Sequence, residues 1–318
     1  MDDPRAAVHS LSRRSLGPLK PVKAAPAPIS KDMRPEEAFR ATLLDCLAQI
    51  TANAATIRAG RSVEGLHQLR VAFRRLEVAL GGFGREFRQD WLEELRGRVK
   101  ILLGRLSPAR DLDVFTGKLL ADPPKSGIRD GLIPLRARAE VARDKAWAMA
   151  VTCVSSVDFD VLGDDVAALA ASQLPLSRIR RLPRTAERML DRQVRRVKKR
   201  GRVARSEEEG DLHRLRIALK KLRYTAEFFA PLYPKKDVTR YLRKLRGLQN
   251  HLGDLNDAAN VRSVVGSLMR EKGRKDDDGM MRYAAGAMVG WHGAQVPGAI
   301  KHALKRYKKF KKVEPFWR

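Results

Sequence analysis

"LHQLRVAFRRL" (residues 66–76) and "LHRLRIALKKLRY" (residues 212–224) are the stretches on which the fold turns. In each, leucine or phenylalanine returns every three or four residues, the period that lays apolar side chains along one stripe of an α-helix. Leu66, Leu69, Phe73, Leu76 and Leu80 make the stripe in the first, and Leu212, Leu215, Leu219 and Leu222 make it in the second. Adding 146 to a residue number carries His67 onto His213, Arg70 onto Arg216, Arg74 onto Lys220 and Arg75 onto Lys221, and the offset holds without a gap to Asp111 and Asp257. A match of that length reads as an internal duplication of a multi-helix unit.

Outward from these two stretches the same period dominates. It predicts helices near 35–58, 65–80, 88–104, 108–121, 130–152, 157–171, 184–201, 208–229, 236–252, 256–271, 280–293 and 297–311, with almost no alternating strand pattern. Breakers stand between them at "GGFG" (81–84), "DPPKSG" (122–127), "PLYP" (231–234) and "RKDDDG" (274–279). The expected fold is all-α: two antiparallel helical bundles, residues 35–174 and 175–311, related by the duplication. Residues 1–34, rich in Pro, Ala and Lys, read as a disordered basic arm, and 312–318 as a C-terminal tail.

Charge narrows the partners. The chain of 318 residues carries 65 Lys and Arg against 37 Asp and Glu, a formal net of +28. Residues 175–318 hold 38 basic and 15 acidic side chains, so the second half carries most of the excess. Such a field attracts polyanions: nucleic acid, an anionic membrane surface or a phosphate polymer. No apolar run is long enough to span a bilayer and no secretory signal pattern follows the N-terminal arginines. Cys46 and Cys153 lie in apolar helical patterns, which fits a reducing cytoplasm better than a disulfide or a zinc site.

The repeated helix presents its cations in a particular place. His67, Arg70 and Arg74 lie about a quarter-turn from the apolar seam, as do His213, Arg216, Lys220 and Arg223, so their stems can follow the bundle while the heads line a groove or channel. Arg75 and Lys221 point further round and read as solvated charges. A histidine beside an apolar seam is often structural, and a phosphorylated catalytic histidine is an alternative, but no glycine-rich nucleotide loop accompanies it. Zinc finds no His, Cys or carboxylate partners at ligand spacing. Anion binding suits the set: Arg forks onto phosphate oxygens, Lys is a mobile point charge and His a donor whose charge follows its surroundings.

A second basic stripe runs through Arg184, Arg188, Arg192, Arg195, Lys199 and Arg202, at spacings of 4, 4, 3, 4 and 3 with no acid among them. Lys244 shares a weaker basic face with Arg240, Arg243 and His251. Asp111 and Asp257 each follow their histidine by 44 residues and read as groups that orient His or Arg rather than as acid–base catalysts. Only 6% of the chain is aromatic, which disfavours base stacking on single-stranded nucleic acid.

The doubled "LHQLRVAFRRL"/"RDLDV" and "LHRLRIALKKLRY"/"LNDAAN" pattern resembles the conserved histidine α-helical domain, or CHAD, family, over nearly the whole chain after residue 35. The resemblance implies two pseudo-twofold-related helical bundles with a basic central surface. It also implies non-enzymatic binding of inorganic polyphosphate without a cofactor, often at cytoplasmic polyphosphate granules. Position by position, His67, Arg70 and Arg74 match the first motif and His213, Arg216, Lys220 and Arg223 the second. Glu77 departs from the pattern, standing where the counterpart of Arg223 is expected, which weakens the first copy. Nucleic-acid backbone binding is the alternative partner reading, and a histidine-dependent phosphotransferase or phosphatase the alternative enzyme.

Overall fold

The computed structural model describes residues 19–87, 91–121, 128–174, 181–270 and 278–318. Over these the chain is helical with no strand. α1 (Pro35–Ala59), α2 (Val63–Phe87), α3 (Trp91–Arg105), α4 (Ser107–Val114), α5 (Arg129–Val154) and α6 (Val157–Ala171) precede α7 (Leu182–Val203), α8 (Glu209–Phe229), α9 (Lys235–Arg270), α10 (Asp278–Ala294) and α11 (Val296–Phe310). The apolar seams are buried as their spacing predicts: Leu66, Leu69, Phe73 and Leu76 of α2 are wholly inaccessible, as are Leu219 and Leu222 of α8. α1 packs on α2 and α7 on α8, while α5 against α10 and α2 against α8 join the earlier helices to the later ones. Among the described residues no single helix is long and apolar enough to cross a membrane.

One of the breakers does not break. "GGFG" lies inside α2, which runs on to Phe87. Its glycines are there for close approach: a Cβ on Gly82 would come 2.6 Å from Met189 Cε of α7, and one on Gly84 3.3 Å from Leu92 of α3. Likewise α9 is one helix of 36 residues where two were expected. Leu245, Leu248, Leu252, Ala258, Val261, Val265 and Leu268 continue one buried face through Gly253, and an isolated glycine costs a helix only about 1 kcal/mol. "PLYP" does end α8, in a single 3₁₀ turn at Ala230–Leu232. "DPPKSG" and most of "RKDDDG" lie outside the described residues. α4 ends in a π turn at Phe115–Leu119, closed by Leu120 N–H donating to Phe115 O at 2.8 Å.

The basic arm also differs from expectation. Residues 1–18 are outside the described residues, but 19–34 lie extended against α1 and α2. Asn53 clamps Val22 on both sides, accepting from its N–H at 3.0 Å and donating to its carbonyl at 2.9 Å, and Ala27 and Ile29 are buried. Proline- and alanine-rich composition reads as disorder because such a segment makes no core of its own; here the core is supplied by helices distant in sequence. The C-terminal tail is docked too. Trp317 donates to Asp191 of α7 at 3.0 Å, and the Phe316 and Trp317 rings meet Tyr241 edge-on.

Another close approach fixes α11 on α7. A Cβ at Gly201 would overlap the ring of Tyr307. Gly201→Ala is expected to destabilise the protein by about 2 kcal/mol through overpacking, read as a lowered urea midpoint at unchanged slope. An unchanged midpoint would mean that Tyr307 swings aside at no cost.

Candidate functional site

The two motif helices meet, joined by Glu77 with Lys221 and Phe83 with Phe229, and their flanking cations lie in one another's field. Lys220 of α8 is half-buried and lies in the field of Arg216 and Arg223 from its own helix and of Arg74 and Arg70 from α2. Burial first, and those four charges after it, hold its amine far below the ordinary lysine value, at about 7. Arg216 is lowered by burial and by Arg74, with Asp257, Tyr224 and Asp111 opposing. Arg70 is lowered to about 10 by burial and by Arg74. Both histidines are pushed below their usual value: His67 by burial and Arg110, and His213 by burial, Arg216 and Lys220. Side chains from α2, α4, α8 and α9 therefore share one cluster, although the chain separates the two motifs by more than a hundred residues.

Burying like charges together is unfavourable unless something else neutralises them. Arg70 has internal partners, donating to Leu103 O at 3.1 Å and Ser107 Oγ at 2.6 Å, which holds it against the α3–α4 junction. Among the described residues, Arg74, Arg216, Lys220, His67 and His213 make no hydrogen bond or ion pair. Arg223 lies 4.8 Å over the ring of buried Tyr224 and 3.7 Å from Glu227, with its Nε buried and unpaired. Cations left open and aimed at a common region are a site for an external anion. Beside His213 and Arg216 there is a cavity of about 100 Å³, walled by Leu212, Leu252, Leu255 and Ile300.

The expected orienting acids sit at this cluster in different ways. Asp111 lies in the field of Arg70, Arg74, Arg110 and Arg216, yet burial outweighs them and raises its carboxyl above the usual range. Asp257 pairs instead with Lys118 of the π turn, linking α9 to the α4 end. Neither hydrogen-bonds a histidine, so orientation of His67 or His213 by these acids is not what the structure shows. Sequence reading also passed over Arg110, the strongest charge acting on His67, and Tyr224, the ring beneath Arg223. Both stood inside quoted motifs, "RDLDV" and "LHRLRIALKKLRY".

The α7 stripe is elsewhere. Arg184, Arg188, Arg195, Lys199 and Arg202 are exposed and Arg192 half-buried, on the side opposite Leu182, Ala186, Met189, Gln193 and Val197. None of them is among the charges acting most strongly on the cluster. Nor is the stripe free of acid: Glu86 of α2 pairs with Arg192 at 2.6 Å and Arg188 at 3.7 Å. Lys244 is exposed on α9 and likewise separate from the cluster's strongest charges.

Three charges set aside or discounted from the sequence prove structural. Arg75, expected to be solvated, is 1% exposed; it pairs with Asp45 at 2.8 Å and donates to Gln49 Oε1 and the Ala25 carbonyl. Lys221 ion-pairs with Glu77 at 3.1 Å, and Arg96 approaches the same carboxylate at 3.4 Å. Burial would raise the Glu77 carboxyl, but these two cations hold it below the usual range. The acid that departs from the motif is thus a strut between α2 and α8.

The lowered value of Lys220 would link anion uptake at this cluster to proton uptake. In the unfolded chain its amine keeps the ordinary value of 10.5, against about 7 when folded. Between those values the unfolded chain binds more protons, so the stability contributed by this group rises with pH across that window. An anion bound at the cluster would restore the proton, and affinity for it should fall as pH rises above about 7. His67 and His213, both lowered from 6.5, add proton uptake at lower pH in the same direction. Calorimetry at pH 8 in buffers of different ionisation enthalpy should show net proton uptake on binding, approaching about one per site. A slope of zero would refute the linkage.

Comparison with known proteins agrees with this architecture. The CHAD domain family model matches residues 41–265. The crystal structure of the CHAD domain from the plant Ricinus communis superposes with a TM-score of 0.76 at 26% identity, over 90% of this chain and 96% of that one. PptA from Streptomyces chartreusis superposes with a TM-score of 0.62 at 17% identity, over 87% of this chain and all of that one, a likeness of fold alone. No curated protein matches the chain.

Proposed function

The chain belongs to the CHAD domain family, and from that premise we propose that it binds inorganic polyphosphate, without catalysis, at the α2–α8 cation cluster. One observation carries the reading. Arg74, Arg216 and Lys220, with His67 and His213 beside them, converge from both motifs and make no ion pair or hydrogen bond among the described residues, Asp111 and Asp257 only partly offsetting their charge. A linear phosphate polymer supplies closely spaced negative oxygens with no base or sugar to accommodate, which suits a cluster poor in stacking rings. Arg70, Arg223 and Arg110 flank the path, and the exposed α7 stripe, with Lys244, offers weaker contacts to a longer chain. The repeated motif would then be a duplicated half-site, each copy contributing one wall. Polyphosphate granules in the cytoplasm are the corresponding location.

Competition tests the partner. Labelled polyphosphate should be displaced by unlabelled polyphosphate far more effectively than by duplex DNA or RNA at equal phosphate concentration and physiological salt. Equal competition by nucleic acid would replace polyphosphate with a general backbone reading, and polymer shortening or phosphate on histidine would make the protein an enzyme. If about five phosphates are neutralised, affinity should drop roughly 100-fold between 50 and 200 mM salt, by analogy with single-stranded nucleic acid.

A further inference from the structure

Lys220 is an unpaired amine among groups that seat phosphate. Lys220 lies one turn beyond Arg216 and just before Arg223 on α8, in the field of Arg74 and Arg70 of α2. Around it stand His67 of α2, Arg110 and Asp111 of α4, His213 and Tyr224 of α8, and Asp257 of α9 with its partner Lys118. Lys220 itself has no ion pair or hydrogen bond among the described residues, unlike Lys221 beside it, which is held by Glu77. An amine needs a free lone pair to attack carbon. At its lowered value of about 7, Lys220 offers a neutral amine near neutral pH, where an ordinary lysine is almost wholly charged.

The geometry points to Lys220 as a site of covalent acylation by acyl phosphates, small metabolites that join a carboxylic acid to phosphate through an anhydride. The proposal rests on the reading that the cluster binds phosphate groups. Arg74 and Arg216 seat the phosphoryl end, which brings the acyl carbon to the amine and converts an encounter into a positioned reaction. The Lys220 Nζ lone pair forms the new N–C bond, and the bond between the acyl carbon and the bridging oxygen breaks. Inorganic phosphate leaves with that electron pair and accepts the proton lost by nitrogen. The product is a neutral amide that cannot take up a proton, so the positive charge a bound polyanion would restore at the centre of the site is lost and affinity for polyphosphate falls with it. Acyl phosphate level would thereby set how much polymer the protein holds.

The test uses the full chain and acetyl phosphate at pH 7.5, with peptide mass spectrometry to follow each lysine. Lys220 should acetylate roughly tenfold faster than exposed Lys244, Lys301 and Lys308. Excess tripolyphosphate should suppress labelling at Lys220 while sparing those three, and Arg74→Gln with Arg216→Gln, checked for an unchanged melting curve, should remove the preference. An activated acetyl ester without phosphate should show less selectivity for Lys220. The idea is overturned if Lys220 reacts no faster than the exposed lysines, or if its preference is the same with the ester and unaffected by tripolyphosphate. Polyphosphate binding measured on the same protein separates the two claims. Binding without selective labelling removes only the acylation proposal; selective, phosphate-competed labelling without polymer binding removes only the polyphosphate reading.

Discussion

Arg74→Glu combined with Arg216→Glu is expected to lower polyphosphate affinity by at least about 100-fold. Charge-assisted hydrogen bonds are worth about 1.5–3 kcal/mol each, and two such losses, before any new repulsion, exceed two decades. The pair is a clean test because neither arginine has an internal partner among the described residues to lose. Each introduced carboxylate would instead find Arg70 and Lys220 nearby and relieve repulsion between like charges, so the unliganded variant should melt no lower than the parent. Reversing Arg184 and Arg202 on α7 changes the net charge by the same amount. Both are exposed, and screening at about 8 Å limits their reach, so only a several-fold loss is expected. Fluorescence anisotropy with labelled polyphosphate reads the binding, and thermal melts read the fold. Equal losses for the two pairs would mean that net charge alone governs affinity and that the cluster is not the site.

Arg75→Ala should give the largest loss of stability of any motif cation, about 3 kcal/mol, or a melting temperature lower by roughly 5 °C. Its guanidinium joins three elements: Asp45 and Gln49 of α1, the Ala25 carbonyl of the docked arm, and Phe228 of α8, whose ring it faces at 5.5 Å. Removing it strands a carboxylate and a carbonyl where water reaches poorly. The arm should loosen at the same time, so limited proteolysis within residues 19–33 should quicken before the helices unfold. Replacing both partners, Arg75→Met with Asp45→Leu, should recover most of the stability but not the protection of the arm, because the Ala25 carbonyl still lacks its donor. A loss under about 1 kcal/mol with the arm still protected would show that this buried network contributes no more than a surface ion pair.

Arg75 and Lys221 show where reading from sequence stops. They occupy equivalent places in the two motifs, 146 residues apart and at the same angle from their apolar seams. Periodicity assigns both to a polar face. The structure buries one beneath α1 and the arm and pairs the other with Glu77 across the α2–α8 contact. The deciding groups lie 26 and 50 residues from Arg75 in the chain, and 144 from Lys221. No local pattern records such partners. "GGFG" carries the same lesson: glycine in a helix reads as a break until Met189 and Leu92 are seen to need the space.

What the sequence determined by itself was the helical period, the buried seams of α2 and α8, and the motif residues that flank them. Each of these is an angle around a single helix axis, fixed by 3.6 residues per turn and by the preference of apolar surface for the interior. Tertiary structure alone decided which flanks meet. It brought Arg70 and Arg74 to Arg216 and Lys220, added Arg110, left the α7 stripe facing solvent, and turned Arg75 inward. The physical reason is that a cation's role depends on what lies within a few ångströms of it. That neighbourhood is set by packing between helices far apart in the chain, not by the helix that carries the charge.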